Sequence, residues 1–180
     1  MSEQKLIKIT DNVKPDESVT KFRRIVTGHD ENGKAVFVED EICPHIKCLF
    51  NMSNHTNTEI WKSVEMPVDN SGSADDHIGD CLSTPPGSNG TVLRIVEFPA
   101  ACEELSKVVM HRTPTLDYAF VIKGEITAVL DDGAEKIMKA GDFLIQRGTN
   151  HGWINRADEP CAILFVLIDA KETKGLPSQY

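Results

Sequence analysis

Two histidines and one aspartate are the residues of this chain whose types and spacing best suit chemistry. His111 and Asp117 stand just before one predicted β-strand, and His151 stands beside a later one. Two imidazoles with one carboxylate form a set that holds Fe(II), and the same set accepts Mn, Ni or Zn. Such a metal keeps open positions for a substrate or dioxygen. The three residues therefore predict one divalent transition metal as cofactor.

A metal-free interpretation of the same three residues is also open. Imidazole titrates near neutral pH, and a buried carboxylate can orient it, so the histidines could serve as general base and general acid. Under either interpretation, His111, Asp117 and His151 are the predicted catalytic residues.

Short runs of β-branched and aromatic residues recur along the chain and would position these side chains. Examples are FRRIV (22–26), TVLRIVEFP (91–99) and CAILFVLIDA (161–170), which are separated by Gly, Asp and Pro. This pattern is typical of antiparallel all-β sandwiches and barrels. Because alternate residues of a barrel strand face inward, side chains from distant strands can meet in one barrel mouth.

The length and composition predict one domain with a single core. The chain has 180 residues, of which 40% are hydrophobic, and a chain of this size rarely forms two cores. We expect residues 1–90 to form a β-rich extension packed on a barrel core of residues 91–170, followed by a flexible tail at 171–180. Gly, Ser, Asp and Pro dominate residues 68–90. This composition predicts a long loop, which is either a lid or a disordered segment.

Two motifs in the second half of the chain resemble those of the cupin superfamily. The first is HRTPTLDYAFVIKG, and the second is GDFLIQRGTNHGWIN. The matching positions are His111, Asp117, Gly124, Gly141, Gly148, His151 and Asn155. The resemblance to small single-domain cupins implies an all-β fold, a double-stranded β-helix (jelly-roll) barrel with an N-terminal strand extension. It also implies that His111, Asp117 and His151 are the metal ligands.

Three positions depart from the motifs of that family. Thr113 stands where a second histidine is usual, Asp117 stands where glutamate is usual, and Gln146-Arg147 stands where proline would be. A hydroxyl is a poorer ligand for a divalent metal than an imidazole. Two alternatives therefore remain: a three-ligand metal site completed by water, and a barrel that binds no metal.

The resemblance implies that the protein processes a small molecule. We expect a divalent-metal-dependent enzyme of the decarboxylase, dioxygenase or isomerase class, in short a cupin lyase or oxygenase. Its expected substrate is a small carboxylated or aromatic metabolite. Since one fold hosts many functions, the alternative is a non-catalytic metabolite-binding cupin that has lost its metal.

Six residues near the motifs are predicted to contact the substrate. Arginines on strands that lead to the barrel mouth could clamp a carboxylate with paired donors, although a surface salt bridge is the alternative role. Apolar side chains nearby could line an organic ligand. The predicted set is Arg94, Arg112, Thr113, Phe120, Ile122 and Phe143.

Charge and hydropathy indicate which partners to expect. Acidic side chains number 28 against 19 basic ones, for a formal charge of −9, and this field repels nucleic acid. No run of 18 apolar residues occurs and the start is polar, so we expect a cytoplasmic protein without membrane contact. The run from Ala162 to Ile168 is apolar on both faces. A second subunit that covers one face would explain this run, so we expect a homodimer.

Overall fold

The computed structural model describes residues 9–10, 12–71, 73–79 and 85–180. Nearly all of its regular structure is β-strand, together with two short 3-10 turns at Glu103–Leu105 and Asp131–Gly133. The strands of the described residues are β1 (Ile9–Thr10), β2 (Arg23–His29), β3 (Ala35–Ile42), β4 (Ile46–Leu49), β5 (Met52–Ser63), β6 (Thr91–Phe98), β7 (Thr115–Lys123), β8 (Glu125–Leu130), β9 (Glu135–Lys139), β10 (Phe143–Arg147), β11 (His151–Ile154) and β12 (Cys161–Asp169). The all-β prediction is confirmed.

Two antiparallel sheets enclose the core, and a separate hairpin of β2 and β3 accompanies them. The larger sheet has the order β1-β4-β5-β6-β12-β7-β10, and the smaller has the order β11-β8-β9. Buried apolar side chains from both sheets pack together, among them Val92, Val121 and Ile163 from the larger sheet and Ile126 and Met138 from the smaller. This two-layer arrangement agrees with the predicted jelly-roll barrel.

Strand β7 shows how alternation positions polar groups inside the barrel. Thr115, Asp117 and Ala119 are buried, whereas Tyr118 and Ile122 between and beyond them are exposed. Successive side chains of a strand point to opposite faces of the sheet. The strand therefore places one carboxylate in the interior and turns its large apolar side chains outward.

The N-terminal half of the chain contributes a strand to the same sheet. Strand β5 pairs with β6, and Asn57 lies opposite Val96 while Glu59 lies opposite Arg94. The register shifts between Glu59 and Trp61, which indicates a β-bulge. One wall of the barrel interior is thus built from residues that precede both sequence motifs.

The two segments predicted to be irregular both have defined contacts. In the loop of residues 68–90, Asp76 Oδ2 accepts hydrogen bonds from Arg24 at 2.6 Å and from His45 at 2.8 Å. Residues 72 and 80–84 of this loop lie outside the described residues. In the tail, the backbones of Gln179 and Arg112 exchange two hydrogen bonds of 2.8 Å. Within the described ranges, no helix is both long and apolar enough to cross a membrane.

Candidate active site

A cavity of about 140 Å³ lies between the two sheets, and several buried polar side chains line it. The motif half of the chain contributes His111, Thr113, Asp117, Gln146 and His151 to its lining. The remaining lining is largely apolar and aromatic, which is the composition typical of pockets that bind small organic ligands.

The two motif histidines are brought together by a backbone bridge. His111 and His151 pair in antiparallel fashion, with N–H···O distances of 2.8 and 2.9 Å. Paired residues of adjacent strands project their side chains on the same side. The imidazole rings consequently lie with their centroids 4.1 Å apart.

Hydrogen bonds to the backbone assign the tautomer of each imidazole. Nδ1 of His111 lies 3.2 Å from the Val109 carbonyl oxygen, and Nδ1 of His151 lies 2.9 Å from that of Thr149. A carbonyl oxygen only accepts, so each Nδ1 carries the proton and each Nε2 carries a lone pair. Burial lowers the pKa of both rings, and for His151 burial together with the nearby His111 lowers the pKa to about 3. Both imidazoles are therefore neutral at neutral pH.

Gln146 links Asp117 to the histidine pair. It lies opposite Asp117 in the β10–β7 register, and its Nε2 donates to Asp117 Oδ2 at 2.7 Å. The same Nε2 lies 3.0 Å from His151 Nε2, which accepts because its ring is protonated at Nδ1. Gln146 was predicted only as a departure from the motif and not as a site residue. A glutamine carries no motif signal, although its place on a strand that enters the barrel could have suggested an inward side chain.

The Asp117 carboxylate is buried, with 4% of its surface exposed. Burial raises its pKa, while the Thr115 hydroxyl, the Gln146 amide and the charge of Arg94 lower it. The Thr115 hydroxyl is itself hydrogen-bonded to Thr113 at 2.7 Å. No described residue donates a well-formed hydrogen bond to Asp117 Oδ1. One carboxylate oxygen is thus left with capacity for a further partner.

Arg94 lies between two buried carboxylates. Its Nη2 is 3.8 Å from Glu59 Oε1, and Lys62 Nζ approaches the same oxygen at 3.2 Å. Burial lowers the pKa of Arg94, whereas the charges of Glu59 and Asp117 raise it. A guanidinium keeps its proton in such surroundings. Arg94 also lines the cavity, which places a cationic side chain on the cavity wall.

Strand β5 supplies a second group of cavity residues, which the sequence did not indicate. His55 and Asn57 line the cavity and are each 3% exposed. The His55 ring lies between Phe50 and Phe98, with centroid distances of 5.4 and 5.0 Å, and burial lowers its pKa to about 4. No local pattern could have found these residues, because their position depends on the pairing of β5 with β6.

The structure separates the six predicted substrate contacts into three groups. Arg94 and Thr113 line the cavity. The Arg112 guanidinium instead donates to the Pro177 carbonyl oxygen at 3.4 Å. The other three, Phe120, Ile122 and Phe143, lie away from the cavity lining, on the outer face of the sheet. Phe143 is 71% exposed, and the centroid of its ring lies 4.5 Å from that of Phe120.

The donor atoms fit the predicted divalent metal in type but not in their present arrangement. Each imidazole offers an Nε2 lone pair and fixes its Nδ1–H on a backbone carbonyl, which is the usual support of a metal-binding histidine. Asp117 Oδ1 offers a further donor. However, no three His, Cys, Asp or Glu side chains in the described ranges converge closely enough to hold an ion in common. The Gln146 amide lies between two of the three candidates.

Comparison with known proteins identifies similar chains. A cupin-domain family model matches residues 101–167. The chain is 35% identical over 164 residues to a cupin-domain-containing oxidoreductase, fogC, of Aspergillus ruber, covering 88% of this chain and 77% of that protein. It is 38% identical over 159 residues to phomopsin biosynthesis cluster protein C' of Diaporthe leptostromiformis, covering 82% and 78%. It is 33% identical over 162 residues to the cupin-domain-containing oxidoreductase virC of Hypocrea virens, covering 87% and 80%.

Proposed function

This chain belongs to the cupin superfamily, and on that premise we propose that it is a metal-dependent oxidoreductase acting on a small carboxylated or aromatic metabolite. The observation that carries the proposal is the pair of neutral imidazoles, fixed by backbone carbonyls beside a buried carboxylate in one cavity. Three ionisable groups that line one buried cavity cost desolvation energy that a purely structural role seldom requires.

The residues that would hold the metal are His111, His151 and Asp117. A divalent ion held by these residues would supply Lewis-acid polarisation of a carbonyl or carboxylate oxygen and, if redox-active, would support oxidation by dioxygen. The relatives named oxidoreductases favour oxidation over isomerisation or simple decarboxylation for this chain. The relative named for phomopsin biosynthesis supports a natural-product metabolite as the substrate.

The other cavity residues would bind and orient the substrate. The Arg94 guanidinium would pair with a substrate carboxylate, because its planar donors match two carboxylate oxygens. Trp153 and Phe165, which meet edge to face at 5.4 Å, line the cavity and offer packing surface to an aromatic ring.

Metal analysis of the protein purified without chelator tests this proposal. We expect about one equivalent of Fe, Mn, Ni or Zn per chain, and we expect His111→Ala and His151→Ala each to abolish it. His29→Ala, which replaces an exposed histidine on β2, is the matched control and should retain the metal. Failure of the wild-type chain to bind any of the four metals after loading would reject the enzyme proposed here.

The alternative is a metal-free barrel that binds a metabolite without reaction. The specific observation in its favour is the Gln146 amide, which already satisfies Asp117 Oδ2 and His151 Nε2. A binding protein of this kind would take up an aromatic carboxylate such as benzoate with the same affinity in the presence and absence of metal. Calorimetry of benzoate binding under both conditions distinguishes the two functions.

A further inference from the structure

The carboxamide of Asn57 is a polar group of the cavity lining to which the proposed function gives no role. Asn57 is 3% exposed and lines the cavity from β5. Its Oδ1 accepts no hydrogen bond from any residue that the structure describes. Buried side-chain oxygens of folded proteins nearly always have a partner, because an unmet acceptor costs free energy on folding. A molecule that enters the cavity would supply this partner.

A structural role does not account for this amide. Its neighbours on the strand are engaged, since His55 stacks on two phenylalanine rings and Glu59 faces Lys62 at 3.2 Å. An apolar side chain of similar size at position 57 would leave no acceptor unmet, and such a replacement is close to neutral or stabilising. Departures of this kind from the rules of a stable core are expected at functional sites.

The surroundings of Asn57 indicate which chemical group would meet it. Lys47 lies opposite Asn57 on β4, and Arg94 lies on β6 two positions from the partner of Asn57 on that strand. The carboxylate of Glu59 on the same strand is already engaged by cations. A positively charged donor would therefore be repelled here, and a carboxylate would offer no donor to Oδ1. An uncharged hydroxyl or N–H group meets both conditions.

We propose that Asn57 determines ligand specificity by binding an uncharged hydroxyl or N–H donor carried by an aromatic ligand. Apolar and aromatic side chains of the same lining, among them Val96, Phe98 and Trp153, would pack on the ring. The inference rests on the proposed function, in that the substrate occupies this cavity, but it requires no metal. It assigns a role in recognition to a residue that lies outside both sequence motifs.

Two pairs of probes of equal size test this inference in NMR titrations of the ¹⁵N-labelled full chain at pH 7 with EDTA present. Benzamide and acetophenone share a ring and a carbonyl, and only benzamide carries N–H donors. Phenol and toluene differ in the same way by a hydroxyl. The wild type should bind the donor of at least one pair about tenfold more tightly than its partner, which is the effect of one hydrogen bond. The selective pair identifies an amide or a hydroxyl as the group recognised, and benzylammonium, a charged donor, should bind more weakly than the selected probe.

The variant Asn57→Leu and a matched control separate recognition from general effects on the barrel. Asn57→Leu keeps the size of the side chain and removes the acceptor, so the selectivity within the pair should disappear, with circular dichroism to confirm folding. Should leucine prevent folding, Asn57→Ala repeats the test without added bulk. Asn54→Leu, at an exposed position of the same strand, should retain the selectivity of the wild type.

Four results would overturn the inference. They are equal affinities of the wild type within both pairs, no binding of any probe, tighter binding of benzylammonium than of the selected probe, and selectivity that persists without the Asn57 amide. Loss of folding in both Asn57 variants would assign the amide a structural role and overturn it as well. Because EDTA removes metal from these titrations, a wild type that holds metal but does not discriminate would overturn this inference alone. A wild type that discriminates but binds no metal would leave Asn57 as the specificity residue of a metal-free binding protein.

Discussion

Two walls of the barrel interior hold their buried polar groups in different surroundings. On the motif wall, formed by His111, Asp117, Gln146 and His151, one neutral amide connects Asp117 and His151 through hydrogen bonds. On the β5 wall, formed by His55, Asn57 and Glu59, the Glu59 carboxylate lies 3.2 Å from Lys62 Nζ and 3.8 Å from Arg94 Nη2, and the His55 ring stacks on Phe50 and Phe98 while its Nδ1 makes no hydrogen bond to a described residue.

The difference indicates that the β5 wall contributes mainly to stability and the motif wall mainly to ligand binding. Opposite charges in a buried cluster cannot be removed singly without leaving a charge behind. An amide can exchange partners by turning, at a smaller cost. We therefore expect substitutions on the β5 wall, Asn57 excepted, to act mainly on folding, and substitutions on the motif wall to act mainly on ligands and metal.

The largest effect should come from breaking the charged cluster of the β5 wall. Glu59→Gln removes the carboxylate that faces Lys62 and Arg94, and loss of one buried partner typically costs about 3–5 kcal/mol. Urea denaturation should therefore show a lower free energy of unfolding by that amount. Glu104→Gln, an exposed position, should change it by less than about 0.5 kcal/mol. Equal, small losses in both variants would remove the structural role of this cluster.

An intermediate effect should appear in acid, through His55. Its folded pKa is about 4, below the ordinary value of 6.5. The unfolded chain therefore binds more protons between these pH values, and stability is complete above pH 6.5 and is lost as the pH falls toward 4. His55 alone contributes a slope of up to about 1.4 kcal/mol per pH unit in this window.

The variant His55→Phe should reduce this acid slope by the share of His55, because a phenyl ring does not titrate, while His151, whose pKa is lowered to about 3, still contributes. Urea denaturation at pH 7, 6 and 5 measures the unfolding free energy of both proteins. His29→Phe replaces an exposed histidine and is the matched control. Parallel pH profiles for the wild type and His55→Phe would show that the stacked ring does not resist protonation.

The smallest effect on stability is expected at Asp117, on the motif wall. Asp117→Asn retains an oxygen for the Gln146 amide and removes a charge that burial disfavours. The free energy of unfolding should change by less than about 1 kcal/mol, whereas Zn²⁺ affinity by calorimetry should fall at least about tenfold. Asp158→Asn, at an exposed position, should affect neither. A large loss of stability in Asp117→Asn with unchanged zinc binding would contradict the prediction that the motif wall acts mainly on ligands and metal.

Three of the four residues of the motif wall were predictable from sequence, because the two motifs mark His111, Asp117 and His151, whereas Gln146 carries no motif signal. Alternation along β7 explains where Phe120 and Ile122 lie. Asp117 faces inward, and a residue separated from it by an odd number of positions points to the opposite face of the sheet. Ile122, five positions later, is accordingly exposed. Phe143 pairs with Phe120 across the sheet and shares its face. The apolar side chains of Phe120, Ile122 and Phe143 suggested a pocket lining, but the position of each residue along its strand determines which face of the sheet it occupies.

The β5 wall was not predictable, because it depends on contacts between distant parts of the chain. Polar residues of the segment NHTNTE (54–59) show no apolar alternation, yet most of them are buried. Their burial follows from pairing with β6 and from the bulge after Glu59. Neither feature leaves a local pattern in the sequence.

The backbone pairing of Arg112 with Gln179 connects the motif wall to an exposed part of the chain. His111 is held by His151 through its own peptide groups, and its neighbour Arg112 is held by Gln179. Proteolytic trimming near Ser178, or a bulky affinity tag that pulls this segment away, would release one edge of the extended segment that carries His111. An imidazole deep in the cavity would then lose orientation although no residue of the cavity had been altered.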